Sequence, residues 1–373
     1  MKTRTFLLAF LFVAPQLLAP DTTYYVYVAS EAADKISAVR FGPGGAAVDR
    51  ELTTGIMPID IDGPHGLAVS PDRKYYYVSI AHGQPFGSLW KYSAGDDKVL
   101  GRVTLGMFPA TLDLSPDGDF AYVVNFNLHG DMIPSSVSVI STDDMTEIAR
   151  IQTCAMPHGS RLNAGGTRHY SVCMMDEQLV EIDTGALKVS RHFILTRGSE
   201  AGMPGPPMRM TNMNHSAASS AGHGIEPPKP GDMSCSPTWA QPSKTSVFVA
   251  CNGSSEIAEV DTQTWTLVRR ITARAGVYNL GITRDGTRLI ATNRRDQSVS
   301  VLDVASGKEL ARLPTKRKVV HGVAVTPDDR YAFISVEGIA ADPGTVEVID
   351  LRSLKTVATV DVPPQAGGID FWK

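Results

Sequence analysis

Hydrophobic and polar positions in this chain alternate over short stretches broken by Gly, Pro, Asp and Asn, and nowhere do they sustain the 3.6-residue period of a long helix. One phrase recurs. HGLAVSPD begins at His65 and returns as HGSRLNAG from His158 and HGVAVTPD from His321. Weaker copies are ATLDLSPD from Ala110, SPTWAQPS from Ser236 and YNLGITRD from Tyr278. The first position of the phrase is thus one repeated site, filled in order by His65, Ala110, His158, Ser236, Tyr278 and His321. Each copy opens a group of four strands; the group from His65 reads GLAVS, KYYYVSI, SLWKYS and KVLGRVTL, with SPDR as the first turn. A repeat of roughly 40 to 45 residues with four strands per unit predicts a β-propeller. The N-terminal runs YYVYVAS, KISAVRF and AAVDREL lack a first strand, and the C-terminal GGIDFW is a first strand without a blade. The expected fold is therefore all-β: a seven-bladed β-propeller with four-stranded blades, the last blade closed by the N- and C-terminal strands.

Composition adds a compartment. The chain has 373 residues, 43% of them hydrophobic, enough to bury a sizeable core. Residues 1–19 combine Lys2 and Arg4, an apolar run from Phe6 and a small residue, Ala19, at a cleavage position, which reads as a signal peptide and predicts a periplasmic or extracellular protein. Residues 20–373 then form a single propeller domain, with residues 196–233 as a Met- and His-rich loop laid over one face. No other apolar run is long enough for a membrane anchor. Without Lys2 and Arg4 there remain 33 basic against 39 acidic residues, which gives no electrostatic case for nucleic acid and points to a small-molecule partner.

The runs YYYVSIAHG, AYVVNFN, VFVACNG and AFISVEG, each after an SPD-like turn and before a strand ending in VID or VLD, carry a resemblance. The chain resembles the YVTN-repeat seven-bladed propellers over essentially its whole mature length. That resemblance implies the fold. It leaves activity open, because such propellers are similar both to lactonase-like enzymes and to the propeller domain of nitrous oxide reductase.

The chemistry gathers on one face. His65, His158 and His321 precede first strands, while His82 and His129 lie in loops joining second to third strands, on the same face. The first three come from well-spread blades, so their imidazoles are expected to converge on the axis as metal ligands, with His82 and His129 as further ligands and hydrogen-bonded channel histidines as the alternative. Met203, Met208, Met210, Met213 and Met233, with His215 and His223, make copper the expected metal, ahead of zinc, iron or calcium. Tyr278 is a candidate proton donor and Glu337 a candidate base. Arg294 and Arg295, and the run Lys316, Arg317 and Lys318, suit an anionic substrate or a solvated loop. Cys154 with Cys173 and Cys235 with Cys251 fit two intra-blade disulfides, thiolate copper ligation being the alternative. Walker, HExxH, CxxCH and GxSxG motifs are all missing. The leading expectation is a copper-dependent oxidoreductase with an electron-transfer partner; the alternatives are a metal-assisted lyase or hydrolase of lactonase type and a non-catalytic copper carrier or protein-binding propeller.

Overall fold

The computed structural model describes residues 22–55, 61–82, 85–207 and 234–373. The signal-peptide segment and most of the Met-rich loop, including His215, His223, Met208, Met210, Met213 and Met233, lie outside the described residues. Among the described residues the strands form seven antiparallel sheets arranged as a propeller. Numbering blades from the His65 phrase, the first strands are Pro64–Val69, Pro109–Leu114, Pro157–Leu162, Pro237–Pro242, Val277–Ile282 and Val320–Val325. Blade 7 joins Ala366–Phe371 to Tyr24–Ser30, Lys35–Gly42 and Gly45–Thr53, so the two ends of the chain are hydrogen-bonded in one sheet. Val26 pairs with Phe371 and Val28 with Ile369 there.

The inner strands of each blade alternate their side chains between two blade interfaces, both apolar, while the outermost strand is half-exposed. Blades 1 and 2, for example, meet through Tyr77, Leu89, Leu112, Val123 and Ile140. Such an interface forms at each of the seven junctions. At the hub the contacts become polar. The carbonyl of the first phrase position in one blade accepts a hydrogen bond from a side chain of the blade before it: Ser79 to Ala110 (2.6 Å), Thr111 to His158 (2.7 Å), His158 Nδ1 to Thr238 (2.9 Å), Thr238 to Tyr278 (2.7 Å), Thr292 to His321 (3.0 Å) and Ser335 to Gly367 (2.5 Å). The junction from blade 7 to blade 1 uses the Asp370 carboxylate, which accepts the Val69 N–H at 2.8 Å.

That closeness explains the glycine of the HG phrase. A Cβ on Gly66, Gly159 or Gly322 would run into the backbone carbonyl of Ala110, Thr238 or Gly367 of the next blade, the last at 2.7 Å. The hub also corrects the sequence alignment of blade 4. Pro237 pairs with Cys251 as Pro64 pairs with Ile80, so Thr238, not Ser236, occupies the position of His65. The Ser-Pro match in SPTWAQPS misled by two residues, and Ser236 falls instead in the preceding turn, at φ +44°.

Two further expectations change in detail. Within the 196–233 segment, Ala201–Pro204 is not loop but a fifth strand on the outer edge of blade 3, where Met203 pairs with His192. The disulfides pair as expected, Cys154 with Cys173 and Cys235 with Cys251. The second is intra-blade. The first ties the end of the last strand of blade 2, Thr146–Ala155, to the second strand of blade 3, Arg168–Cys173, and no cysteine is left as a thiolate.

Gly322→Ala is expected to lower stability by about 1 to 3 kcal/mol, as overpacking of a closed contact does, read as a shift in urea midpoint. Gly165→Ala, with no described atom within 4 Å of the added Cβ, is the control and should leave the midpoint unchanged or slightly raised. Replacing either cysteine pair by alanines should cost about 3 kcal/mol, the amount for loops of this length, measured the same way.

Candidate active site

One turn, repeated seven times, builds the mouth of the axial tunnel. Two residues before each first-position residue the backbone turns left-handed, at Gly63, Phe108, Met156, Ser236, Gly276, Val319 and Gln365. Each of those carbonyls accepts the N–H of the residue just after the second strand: Ala81, Phe126, Met174, Asn252, Arg294, Glu337 and Glu31. Five of the seven are not glycine, and a β-branched valine at φ +65° is an uncommon strain that the paired hydrogen bond holds in place. The turn delivers two side chains per blade to the mouth, one from the first phrase position and one from the residue after the second strand.

The expected residues do meet there. The His65 and His321 rings lie 5.8 Å apart, Tyr278 lies 5.0 Å from His321, and His158 lies 5.6 Å from Tyr278. Glu337 approaches His321 Nε2 at 3.9 Å and pairs with Arg294 at 2.9 Å. Arg294 also covers the Tyr278 ring, 4.5 Å from its centroid. His82 and His129 stack on each other at 5.7 Å on the rim, each edge-on to Phe108. Of the basic positions, only Arg294 joins this group; Arg295 caps the Asn252 carbonyl, and Lys316 and Arg317 pair with Asp361 on the surface.

Glu31 is the residue that sequence reasoning missed. Its carboxylate lies 2.6 Å from His65 Nδ1 and 3.1 Å from His82 Nε2. The signal was available: Glu31 follows YYVYVAS at the offset at which Glu337 follows YAFISV, in a blade read only for its strands. Burial works against charge on both partners, but their mutual attraction prevails. His65 is held above the ordinary imidazole value, and Glu31 is held well below the usual carboxylate range by His65 and His82. His321 goes the other way: burial, reinforced by the Arg294 and His65 charges, drives it well below the ordinary value and leaves it neutral. Burial also raises Glu337 and pushes Tyr278 up to about 12.

His158 behaves differently from the other two axial histidines. Its Nδ1 donates to the Thr238 carbonyl and its Nε2 lies 3.2 Å from the Tyr278 hydroxyl, so both nitrogens are engaged, and burial lowers it to about 3. Of the three axial imidazoles, His158 is thus the one with both ring nitrogens against protein groups. Among the described residues no group of three or more His, Cys, Asp or Glu side chains is placed to hold a metal ion. His65 Nε2 and His321 Nδ1 are buried without a hydrogen-bond partner among the described residues, as are Asn279 Oδ1 and Trp239 Nε1. All four residues line the axial cavity. Such orphaned polar atoms mark a place where water or a ligand completes the structure.

No protein-family profile and no curated protein sequence matches the chain. Solved structures do resemble it. The periplasmic gluconolactonase PpgL of Pseudomonas aeruginosa is similar with a TM-score of 0.69 and 16% identity, over 94% of this chain and 99% of that one. Hydrazine synthase of Kuenenia stuttgartiensis gives 0.59 and 21%, over 80% of each chain. Dihydro-heme d1 dehydrogenase NirN, solved in complex with DHE, gives 0.57 and 15%, over 92% of this chain and 74% of that one. These likenesses show the propeller fold, shared by lactonase-like and heme-related proteins alike.

Glu31→Gln should lower the His65 titration midpoint toward or below that of a free imidazole, followed by NMR of the ring protons. An unaltered midpoint would remove the carboxylate–imidazole pair as the organiser of the mouth.

Proposed function

We propose that this protein is a hydrolase that opens small lactones or esters by acid–base catalysis at the tunnel mouth. The observation that carries the reading is a pair of neighbouring imidazoles, 5.8 Å apart, of which His65 has a carboxylate on its Nδ1 at 2.6 Å. Glu31 fixes the Nδ1 side of His65 and favours its charged form, leaving its Nε2 available at the cavity; His321, whose burial favours the neutral form, stands across from it. Environments that push two like groups apart assign one as acid and the other as base. His321 takes a proton from water as that water attacks the acyl carbon. Arg294 stabilises the negative charge gathering on the acyl oxygen, as a fixed cation does in a water-poor site. His65 gives its proton to the departing ring oxygen, and the product is a hydroxy acid with the elements of water added across the former bond. Tyr278, held by His158 and covered by Arg294, is a positioning residue in this scheme rather than the proton donor, because burial makes its phenol a weaker acid than the His65 imidazolium. The likeness to the periplasmic gluconolactonase PpgL agrees with this reading.

Copper is the second reading, now on a narrower donor set. The observation favouring it is the pair of buried, unengaged nitrogens of His65 and His321, where the three-histidine shell expected from sequence loses His158 to the hub. Elemental analysis after anaerobic copper loading tests it. Near-stoichiometric copper, lost in a His65→Ala, His321→Ala double variant, would support an oxidoreductase; background copper in both would end that reading.

For the hydrolase, His65→Ala or His321→Ala should each lower kcat/KM for lactone opening by about 10²- to 10⁴-fold, the span for loss of a general acid or base. Activity requires His321 neutral and His65 charged. The lowered His321 value places the acid limb below the ordinary imidazole range, and the raised His65 value places the alkaline limb above it, so initial rates should hold level through neutrality. In Glu31→Gln the alkaline limb should move to lower pH. An alkaline limb that stays in place would overturn the assignment of His65 as the acid.

A further inference from the structure

Among the described residues, apolar clusters fill the seven spaces between blades, and an eighth does not belong to any of them. Phe108, Phe126 and Met156 form its floor, and Leu128, Met174 and Met175 lie half-buried against them, at the tunnel mouth over blades 2 and 3. Across the tunnel, the residues after the second strands of blades 5, 6 and 7 are Arg294, Glu337 and Glu31. Equivalent backbone positions thus carry phenylalanine and methionine on one side and charge on the other. The apolar half continues outward in the same loop of blade 2, where Met132 and Ile133 are 53% and 50% exposed. A polyhydroxylated sugar lactone would set hydroxyls against Phe108, Leu128, Met174 and Met175, which offer no strong hydrogen-bond partner, so that only the rim imidazoles of His82 and His129 could meet them on that half. A methylene chain would gain from the same surface, and methionine adapts to irregular apolar shapes.

We propose that the mouth takes an amphiphile: a carboxylate, ester or lactone head held at Arg294 over blades 5 to 7, with an alkyl or aryl tail laid on Phe126 and Met174 over blades 2 and 3. The inference rests on the proposed function only in placing the substrate at the mouth. It selects substrates with an apolar arm over sugar lactones.

Calorimetric binding of octanoate, acetate and gluconate to the full chain tests it without turnover. A buried methylene contributes roughly fourfold in affinity, so octanoate should bind at least about tenfold more tightly than acetate or gluconate. Met174→Ser combined with Met175→Ser should shrink the octanoate-to-acetate ratio, whereas Arg294→Gln should weaken both ions and keep the ratio. Gluconate binding as tightly as octanoate, or a ratio unmoved in a methionine double variant of wild-type Tm, would overturn the proposal. An octanoate preference with no lactone opened would sustain the ligand class while removing the hydrolase.

Discussion

The structure depends on a hydrogen bond made at the hub between successive blades. A hydroxyl or imidazole of one blade reaches the first-position carbonyl of the next, at six of the seven junctions, and Asp370 closes the seventh through the Val69 N–H. Buried carbonyls need partners, and at those six junctions the partner is a neighbour around the ring, so satisfying the backbone and closing the propeller go together. The same closeness restricts the following residue, to glycine at Gly66, Gly159 and Gly322. With its carbonyl turned to the adjoining blade, the first-position residue has its side chain at the tunnel. The architecture therefore makes a ring of chemistry before any particular chemistry is chosen.

What distinguishes this ring is its electrostatic asymmetry. Histidines at equivalent positions meet different surroundings: the Glu31 carboxylate holds His65 above the ordinary imidazole value, while burial holds His321 and His158 below it. Identical residues at equivalent backbone sites thus acquire different proton affinities and different hydrogen-bond partners. The difference comes from the second-strand residue contributed by the adjacent blade, which is Glu31 beside His65 and Phe126 beside His158. Across the mouth the same position changes from apolar to charged, which gives the site two chemically distinct sides.

Much of this was legible from the chain. A recurring phrase of alternating residues gave the blade number and the shared closing blade, because strand period and repeat spacing are local properties. The cysteine pairs were legible for a related reason: each joins the lead-in to a first strand with the end of the second strand, positions adjacent in any blade. The convergence of His65, His158, His321, Tyr278 and Glu337 also followed from topology. The alignment of blade 4 did not, since SPTWAQPS matches the phrase by letters at Ser236 but by strand register at Thr238.

Sequence by itself determined which side chains stand at the tunnel mouth, because position within a repeat fixes a residue's height and direction on its blade. Only the tertiary structure decided what each one does there. Protonation and free lone pairs depend on atoms a few ångströms away, and those atoms come from other blades: Glu31 reaches His65 from 34 residues away, and Tyr278 reaches His158 from 120. Three histidines that look alike in the chain become different groups once burial and neighbouring charge act on them, and no periodicity encodes that difference.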